Sequence, residues 1–137
     1  MKGKIIMKIT EFRPLIISAK ANDAIELFEV LGFEKRHTKT GIEGKMKEYV
    51  TTVAMKDANG FRVNVAQADK IPSDLTVIAM NVDDFDEAYE FLKARGFVNE
   101  QGDGVTDTGS SKATLMMSPS GYGIVLSQHL KNEIIKE

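Results

Sequence analysis

Apolar residues recur at helical spacing in two separate segments of the chain. They are Ala21, Ala24, Ile25 and Phe28, then Phe85, Ala88, Tyr89 and Leu92. Residues three or four positions apart share one side of an α-helix, so each segment predicts an amphipathic helix. Gly32 and Gly96 follow the two stripes, where a left-handed residue would end each helix. Asn22 and Asp83 are the predicted N-caps, because their short side chains accept from amides of the first turn.

Strand-like runs surround each predicted helix in the same order. One run precedes the helix and three follow it, each rich in β-branched or aromatic residues and bounded by turn residues. The predicted strands are 12–19, 33–38, 46–55 and 61–66 in the first half, then 75–82, a short run around Val98, 113–117 and 122–127 in the second. A turn ending in glycine joins the last two strands of each half, at 57–60 and 118–121. Both halves therefore predict a βαβββ unit.

The two halves repeat one another in sequence. Residues 22–33 and 86–97 share an acidic start, an alanine, the apolar stripe and a closing Gly-Phe. We therefore predict a single domain over residues 1–137, with repeat units at about 11–67 and 75–128. The fold class is α+β, with tandem βαβββ repeats forming a cupped mixed sheet. Residues 67–74 are the predicted linker, 101–111 a flexible loop, and 129–137 a short charged helix or tail.

Composition excludes several kinds of function. The 18 basic and 20 acidic residues are interspersed, and without a basic stripe the chain is not expected to bind nucleic acid. Cysteine is absent, which excludes disulfides, thiol catalysis and cysteine-bound metal. Two histidines leave little material for a histidine-rich metal site. No apolar stretch reaches membrane-spanning length and no signal peptide is evident, so we expect no membrane partner and a cytoplasmic location.

Alternation along the strands separates the two faces of the sheet. One set is uniformly apolar, and we assign it to the face under the helices: Phe12, Pro14, Ile16, Val63, Val65, Ile78, Met80, Val82, Ile124 and Leu126. The opposite set is mixed: Arg13, Leu15, Ile17, Arg62, Asn64, Ala66, Val77, Ala79, Asn81, Gly123, Val125 and Ser127. Apolar walls with a few polar anchors suit a small-molecule pocket. The alternative is a partly solvated face with ordinary surface arginines.

Four sequence segments carry a family resemblance. They are 24–33, with its closing Leu-Gly-Phe, 82–84 before the second helix, 92–97, and the turn 118–122. In this order, and repeated, they resemble the glyoxalase/bleomycin-resistance/dioxygenase superfamily, also called vicinal oxygen chelate proteins, over about residues 12–128. Ser118 stands where the family's Asp-Pro-x-Gly turn has an aspartate.

The resemblance also indicates where a metal would bind. In metal-dependent members, the ligands come from the first, fourth, fifth and eighth strands. The matching positions here are Arg13, Asn64, Val77 and Val125. A divalent ion needs lone pairs, which arginine and valine side chains do not offer. The resemblance therefore implies a member with no metal ligands and no cofactor.

The resulting hypothesis is a small-molecule-binding protein without a metal centre. Its predicted ligand-binding residues are Arg13, Arg62, Asn64, Val77, Asn81 and Val125, and its catalytic residues, if any, are unknown. Arg13 and Arg62 would hold a carboxylate or phosphate, which favours a neutral or anionic organic ligand. Alternatively, the arginines pair with carboxylates such as Glu11 or Glu48, and the asparagines cap the backbone. The resemblance further implies a homodimer.

Two other functions remain open at this level. One is a lyase or isomerase with unusual ligands or an acid/base pair such as His37 with a tyrosine. The other is a regulatory or interaction domain whose cup is filled by its own side chains. Bound metal would favour the first, and a cavity too small for a ligand would favour the second.

Overall fold

The computed structural model describes residues 6–42, 50–100, 102, 104–107 and 111–129. Its elements are β1 (Ile9–Ser18), α1 (Ala21–Val30), β2 (Glu34–Ile42), β3 (Val50–Lys56), β4 (Arg62–Gln67), β5 (Leu75–Val82), α2 (Phe85–Ala94), β6 (Val98–Asn99), β7 (Thr106–Asp107), β8 (Ser111–Met117) and β9 (Gly123–His129). This order confirms the α+β class and both helices. Among the described residues, no helix is long and apolar enough to cross a bilayer.

The chain folds as two compact units. One unit is Arg13–Ala79, and the other contains the described residues before Arg13 and after Ala79. The division does not pass through the predicted linker. It passes through β1 and β5, and each of these strands contributes residues to both units. The assignment of the whole chain to a single domain stays a prediction.

In the unit Arg13–Ala79, four strands lie in the order β2-β3-β4-β1. The pairs β2–β3 and β3–β4 are antiparallel, whereas β4 and β1 are parallel, so the sheet is mixed. Helix α1 covers one face, where Ile25 packs with Val63 and Val65 in a buried core and Ile16 packs against it. These residues confirm the apolar face predicted from alternation. Phe12, predicted on the same face, is instead 60% exposed, since the core reaches β1 only as far as Ile16.

In the other unit, β9 lies between β5 and β8. Strand β8 pairs antiparallel with β9 and also with the short strands β6 and β7. Helix α2 packs against β9 and buries Phe85, Ala88 and Leu92. The predicted loop 101–111 was wrong in part, because Thr106–Asp107 forms β7. His129 ends β9, and the rest of the predicted C-terminal helix lies outside the described residues.

The glycines end both helices as predicted. Gly32 and Gly96 have φ angles of +107° and +97°, which glycine adopts without a steric cost. The amide of Phe33 donates to the carbonyl of Phe28 at 2.9 Å, and that of Phe97 to Leu92 at 3.0 Å. These bonds close the same C-terminal turn in both copies.

Both predicted N-caps were wrong. Helix α1 begins at Ala21, so Asn22 lies inside it, and the N-cap Lys20 makes no side-chain capping bond. Helix α2 is capped by Asp84, whose side chain accepts from the amide of Glu87 at 3.1 Å. Asp83 accepts instead from the amide of Lys8 at 2.7 Å. The sequence pattern was misleading because two adjacent aspartates are equally good caps on composition alone.

A glutamine from the last strand of each βαβββ repeat binds the start of that repeat's helix. Gln67 Oε1 accepts from the amide of Ala21 at 3.0 Å, and its Nε2 donates to the carbonyl of Ala19 at 2.7 Å. Gln128 binds in the same way, with Oε1 accepting from the amide of Phe85 at 2.7 Å and Nε2 donating to the carbonyl of Asp83 at 2.9 Å. Each glutamine thus satisfies a first-turn amide that has no partner within its own helix. We call these contacts the glutamine clamps.

In each of the two β-turns, the side chain of the first residue accepts hydrogen bonds from two backbone amides. Asp57 Oδ1 accepts from the amides of Asn59 and Phe61, both at 2.9 Å. Ser118 Oγ takes the corresponding role, accepting from Gly121 at 2.9 Å and Tyr122 at 3.0 Å. Both side chains accept from the amide four residues on, but the second amide differs: it lies two residues after Asp57 and three residues after Ser118.

The turn makes a testable prediction for Ser118. Ser118→Ala should lower the free energy of unfolding by about 1 kcal/mol, because the amide of Tyr122 loses its acceptor, while that of Gly121 keeps the carbonyl of residue 118. Ser118→Asp, which restores the chemistry of Asp57, should remain closer to the unmodified protein. Urea denaturation of the three proteins measures both changes. An alanine variant as stable as the parent would show that water replaces the hydroxyl at no cost.

Candidate functional site

The six predicted ligand-binding residues divide between the two units. Arg13, Arg62, Asn64 and Val77 belong to Arg13–Ala79, whereas Asn81 and Val125 belong to the other unit. Arg13 and Val77 are buried, Asn64 is half-buried and Arg62 is exposed. Asn81 is buried on β5, and Val125 is half-buried on β9.

In the first group, parallel pairing of β1 with β4 brings three polar residues together. Leu15 lies opposite Asn64 in the register, so both side chains leave the same face of the sheet. Arg13 and Arg62 are two residues earlier on the same strands, and alternation places them on this face too. We call this surface the arginine face. It is opposite the face that α1 covers, as alternation predicted.

The electrostatics of the arginine face act against further positive charge. Arg13 is only 8% exposed, and this burial is the larger cause that lowers its pKa. The positive charge of Arg62 lowers the pKa of Arg13 further. Burial removes hydration, and a neighbouring cation adds repulsion, so both effects act against the protonated guanidinium. A bound anion would relieve both effects at once.

Asn64 adds an unused acceptor to the arginine face. Its Oδ1 atom is buried and makes no hydrogen bond within the described part of the chain. Leaving such an acceptor unsatisfied costs about 1–3 kcal/mol. Oδ1 therefore accepts no bond from the described backbone, and the role of Asn64 stays a prediction. Oδ1 remains available to an N–H or O–H donor of a ligand.

The second unit contains an open cleft that sequence reasoning did not find. Its volume is about 410 Å³, and Asn81 lines it together with Thr10, Glu11, Val82, Asp83, Gln128 and His129. Of the six predicted ligand residues, Asn81 alone is among these lining residues. The signal in the sequence was a set of polar residues near the ends of three strands. The sequence around Asp83 favours a helix cap, and this simpler interpretation gave no reason to expect Asp83 in a cleft.

The residues at the predicted metal-ligand positions do not fit a divalent ion. Arg13, Val77 and Val125 offer no lone pair, and Asn64 offers a single amide oxygen. Within the ranges that the structure describes, no group of three His, Asp or Glu side chains is arranged to hold a metal. A structural or catalytic zinc site takes three or four such ligands.

The acid/base pair of His37 with a tyrosine stays a prediction. His37 lies on β2, but its side chain is outside the described part. The hydroxyl of Tyr89 accepts from Asn99 Nδ2 at 3.1 Å, and its ring stacks on Phe85. Tyr122 packs edge-on against Phe97. These two tyrosines therefore have contacts of the kind that support packing.

Comparison with known proteins gives a family and a fold. The model of the Glyoxalase/Bleomycin resistance protein/Dioxygenase superfamily matches residues 18–126. No curated protein matches the chain.

Three solved structures share this architecture. A methylmalonyl-CoA epimerase is 20% identical, with a TM-score of 0.57 over 85% of this chain and 92% of that one. A superfamily member from Vibrio splendidus 12B01 is 17% identical, with a TM-score of 0.56 over 88% and 99% of the two chains. An uncharacterised protein from Methanosarcina mazei is 14% identical, with a TM-score of 0.53 over 93% and 98%. At these identities the likeness is one of fold.

Proposed function

Because this chain belongs to the Glyoxalase/Bleomycin resistance protein/Dioxygenase superfamily, we propose that it uses the family fold to bind a small organic molecule without a metal centre. The ligand is neutral or anionic and contacts the arginine face. Arg13 anchors it, with Arg62 adding positive charge and Asn64 accepting a hydrogen bond.

The burial of Arg13 beside Arg62 is the observation that carries this proposal. A cation that is buried beside a second cation favours a bound anion, because the opposite charge offsets both the lost hydration and the repulsion. A carboxylate or phosphate forms paired, charge-assisted hydrogen bonds with guanidinium, and no other side chain presents donors in so fixed a fork. The unsatisfied Oδ1 of Asn64 adds a place for a donor on the same ligand.

The donor chemistry also supports a protein that binds rather than one that uses a metal. At three of the four ligand positions the residue cannot bind a divalent cation: arginine repels it, and the two valines offer no donor atom. The positive charge at Arg13 and Arg62 further disfavours a cationic ligand of the bleomycin type. We extend the proposal to a cytoplasmic homodimer, with the dimeric state that the family resemblance implies.

Native mass spectrometry of the freshly purified full chain tests the proposal. We expect the mass of a dimer carrying a small organic compound and no metal. Stoichiometric metal would contradict the proposal and favour the alternative of a lyase or isomerase. The mass of a monomer would contradict the proposed dimer but not the proposed ligand binding.

A titration with benzoate tests the arginine face directly, whether or not a compound co-purifies. Arg13→Met preserves side-chain length while it removes the charge, so benzoate affinity should fall by at least about tenfold. Arg36→Met is the matched control, since Arg36 is an exposed arginine on β2. Ligand-observed NMR measures the affinities. Equal benzoate affinity in all three proteins, or no binding by any of them, would rule out Arg13 as the anchor.

A further inference from the structure

The cleft beside Asn81 differs in charge from the arginine face. Glu11 and Asp83 both line it, and the described lining residues include neither lysine nor arginine. His129 is the one other ionisable side chain among them. A cleft lined by two carboxylates attracts a cation. Its volume of about 410 Å³ lies in the range of small-molecule sites and is far larger than a bare ion needs.

Asn81 gives the cleft a buried polar group. Its side chain is only 8% exposed, although it lines an open cleft. The hydrogen bonds of the described residues leave its side-chain amide available. An amide in this position offers both a donor and an acceptor to a molecule in the cleft. This buried group distinguishes the cleft from a chance meeting of surface carboxylates.

Hydrogen bonds within the unit fix the walls of the cleft. Oδ1 of Asp83 is held by the amide of Lys8 at 2.7 Å, which orients the carboxylate. Both polar ends of Gln128 are used by its glutamine clamp, at 2.7 and 2.9 Å. Neither side chain needs to reorganise when a ligand arrives, which lowers the cost of binding.

We propose that this cleft binds a small organic cation, of the class of aliphatic amines. The ammonium group donates hydrogen bonds to the carboxylates of Glu11 and Asp83, while a polar group farther along the ligand pairs with the Asn81 amide. The arginine face, by contrast, favours a ligand of the opposite charge.

Two probes of equal chain length test the proposal on the full chain. We expect 1,4-diaminobutane to bind and to shift the side-chain amide resonance of Asn81 in an isotope-labelled sample. Its neutral counterpart, 1,4-butanediol, should produce no such shift. If the diol shifts the resonance equally, or the diamine leaves it unchanged at millimolar concentration, the proposal is wrong.

A charge variant then identifies the carboxylate. Glu11→Gln retains the size of the exposed side chain and should weaken diamine binding by about fivefold. Glu29→Gln, an equal charge change at an exposed position on α1, should leave the affinity as it was. Equal losses of diamine affinity in the Glu11 and Glu29 variants would show that only the net charge matters, and would overturn the assignment of Glu11 as a ligand-binding residue.

Discussion

Gly96→Ala should lower the free energy of unfolding by about 2–4 kcal/mol. Two separate costs contribute. At φ = +97° any other L-residue is strained, and a Cβ built on Gly96 would lie 2.9 Å from Cγ of Pro119. Proline is a stiff ring within the 118–121 turn, so it cannot rotate away as the end of a flexible side chain would. Thermal and urea unfolding measure the loss.

Gly32 is the matched control for this prediction. It ends α1 as Gly96 ends α2, with φ = +107°, but a Cβ added to Gly32 would meet no described atom within 4 Å beyond its own chain neighbours. Gly32→Ala should therefore cost only the backbone strain, about 1–2 kcal/mol. Combining Gly96→Ala with Pro119→Ala should recover the difference. Equal losses at the two glycines would show that the contact with Pro119 is unimportant.

Asn99→Ala should destabilise the protein by about 2–3 kcal/mol. Asn99 is 6% exposed, and its Nδ2 donates to the carbonyl of Gly104 at 2.9 Å and to the hydroxyl of Tyr89 at 3.1 Å. Its Oδ1 accepts from Thr114 Oγ1 at 3.0 Å. Truncation leaves these groups with fewer partners in a buried place, where an unsatisfied polar group is costly. Urea denaturation gives the change in unfolding free energy.

Asn22→Ala provides the comparison, since Asn22 is exposed inside α1 and alanine is the better helix former. That variant should be as stable as the parent or slightly more so. A double-mutant cycle of Asn99→Ala with Thr114→Val isolates the bond between the two side chains. Additive losses in the cycle would mean that the two residues act separately and not as a network.

Local periodicity was sufficient to predict both helices and the longer strands of this fold, but not the two-residue strand β7. The apolar stripe through Ala21 and Ile25 has one helical solution, and Gly32 marks its end because glycine adopts a positive φ at little cost. Alternation also identified the face carrying Val63 and Val65. These signals are contained in neighbouring residues, so one sequence expresses them fully. The repeat and its order further indicated the family that the family model then matched.

The parts that were missed depend on contacts between residues far apart in sequence. Helix α1 receives its capping acceptor from Gln67, which no local pattern connects with Ala21. The burial of Arg13 beside Arg62 depends on parallel pairing of β1 with β4, whereas the sequence showed only two arginines on strands of unknown pairing. The cleft around Asn81 likewise requires three strands to be in place. The ligand-binding roles of the six residues stay predictions that the titrations above address.

The glutamine clamps have a consequence for how each unit assembles. The first amide of each helix is protected only after a strand that is made much later in the chain has docked beside it. Until then, only water accepts a hydrogen bond from that amide, and the start of the helix frays readily. The helix and the strand that carries the glutamine therefore become ordered together. Exchange of the Ala21 and Phe85 amide protons with solvent would report the opening of a whole unit rather than of one helix end.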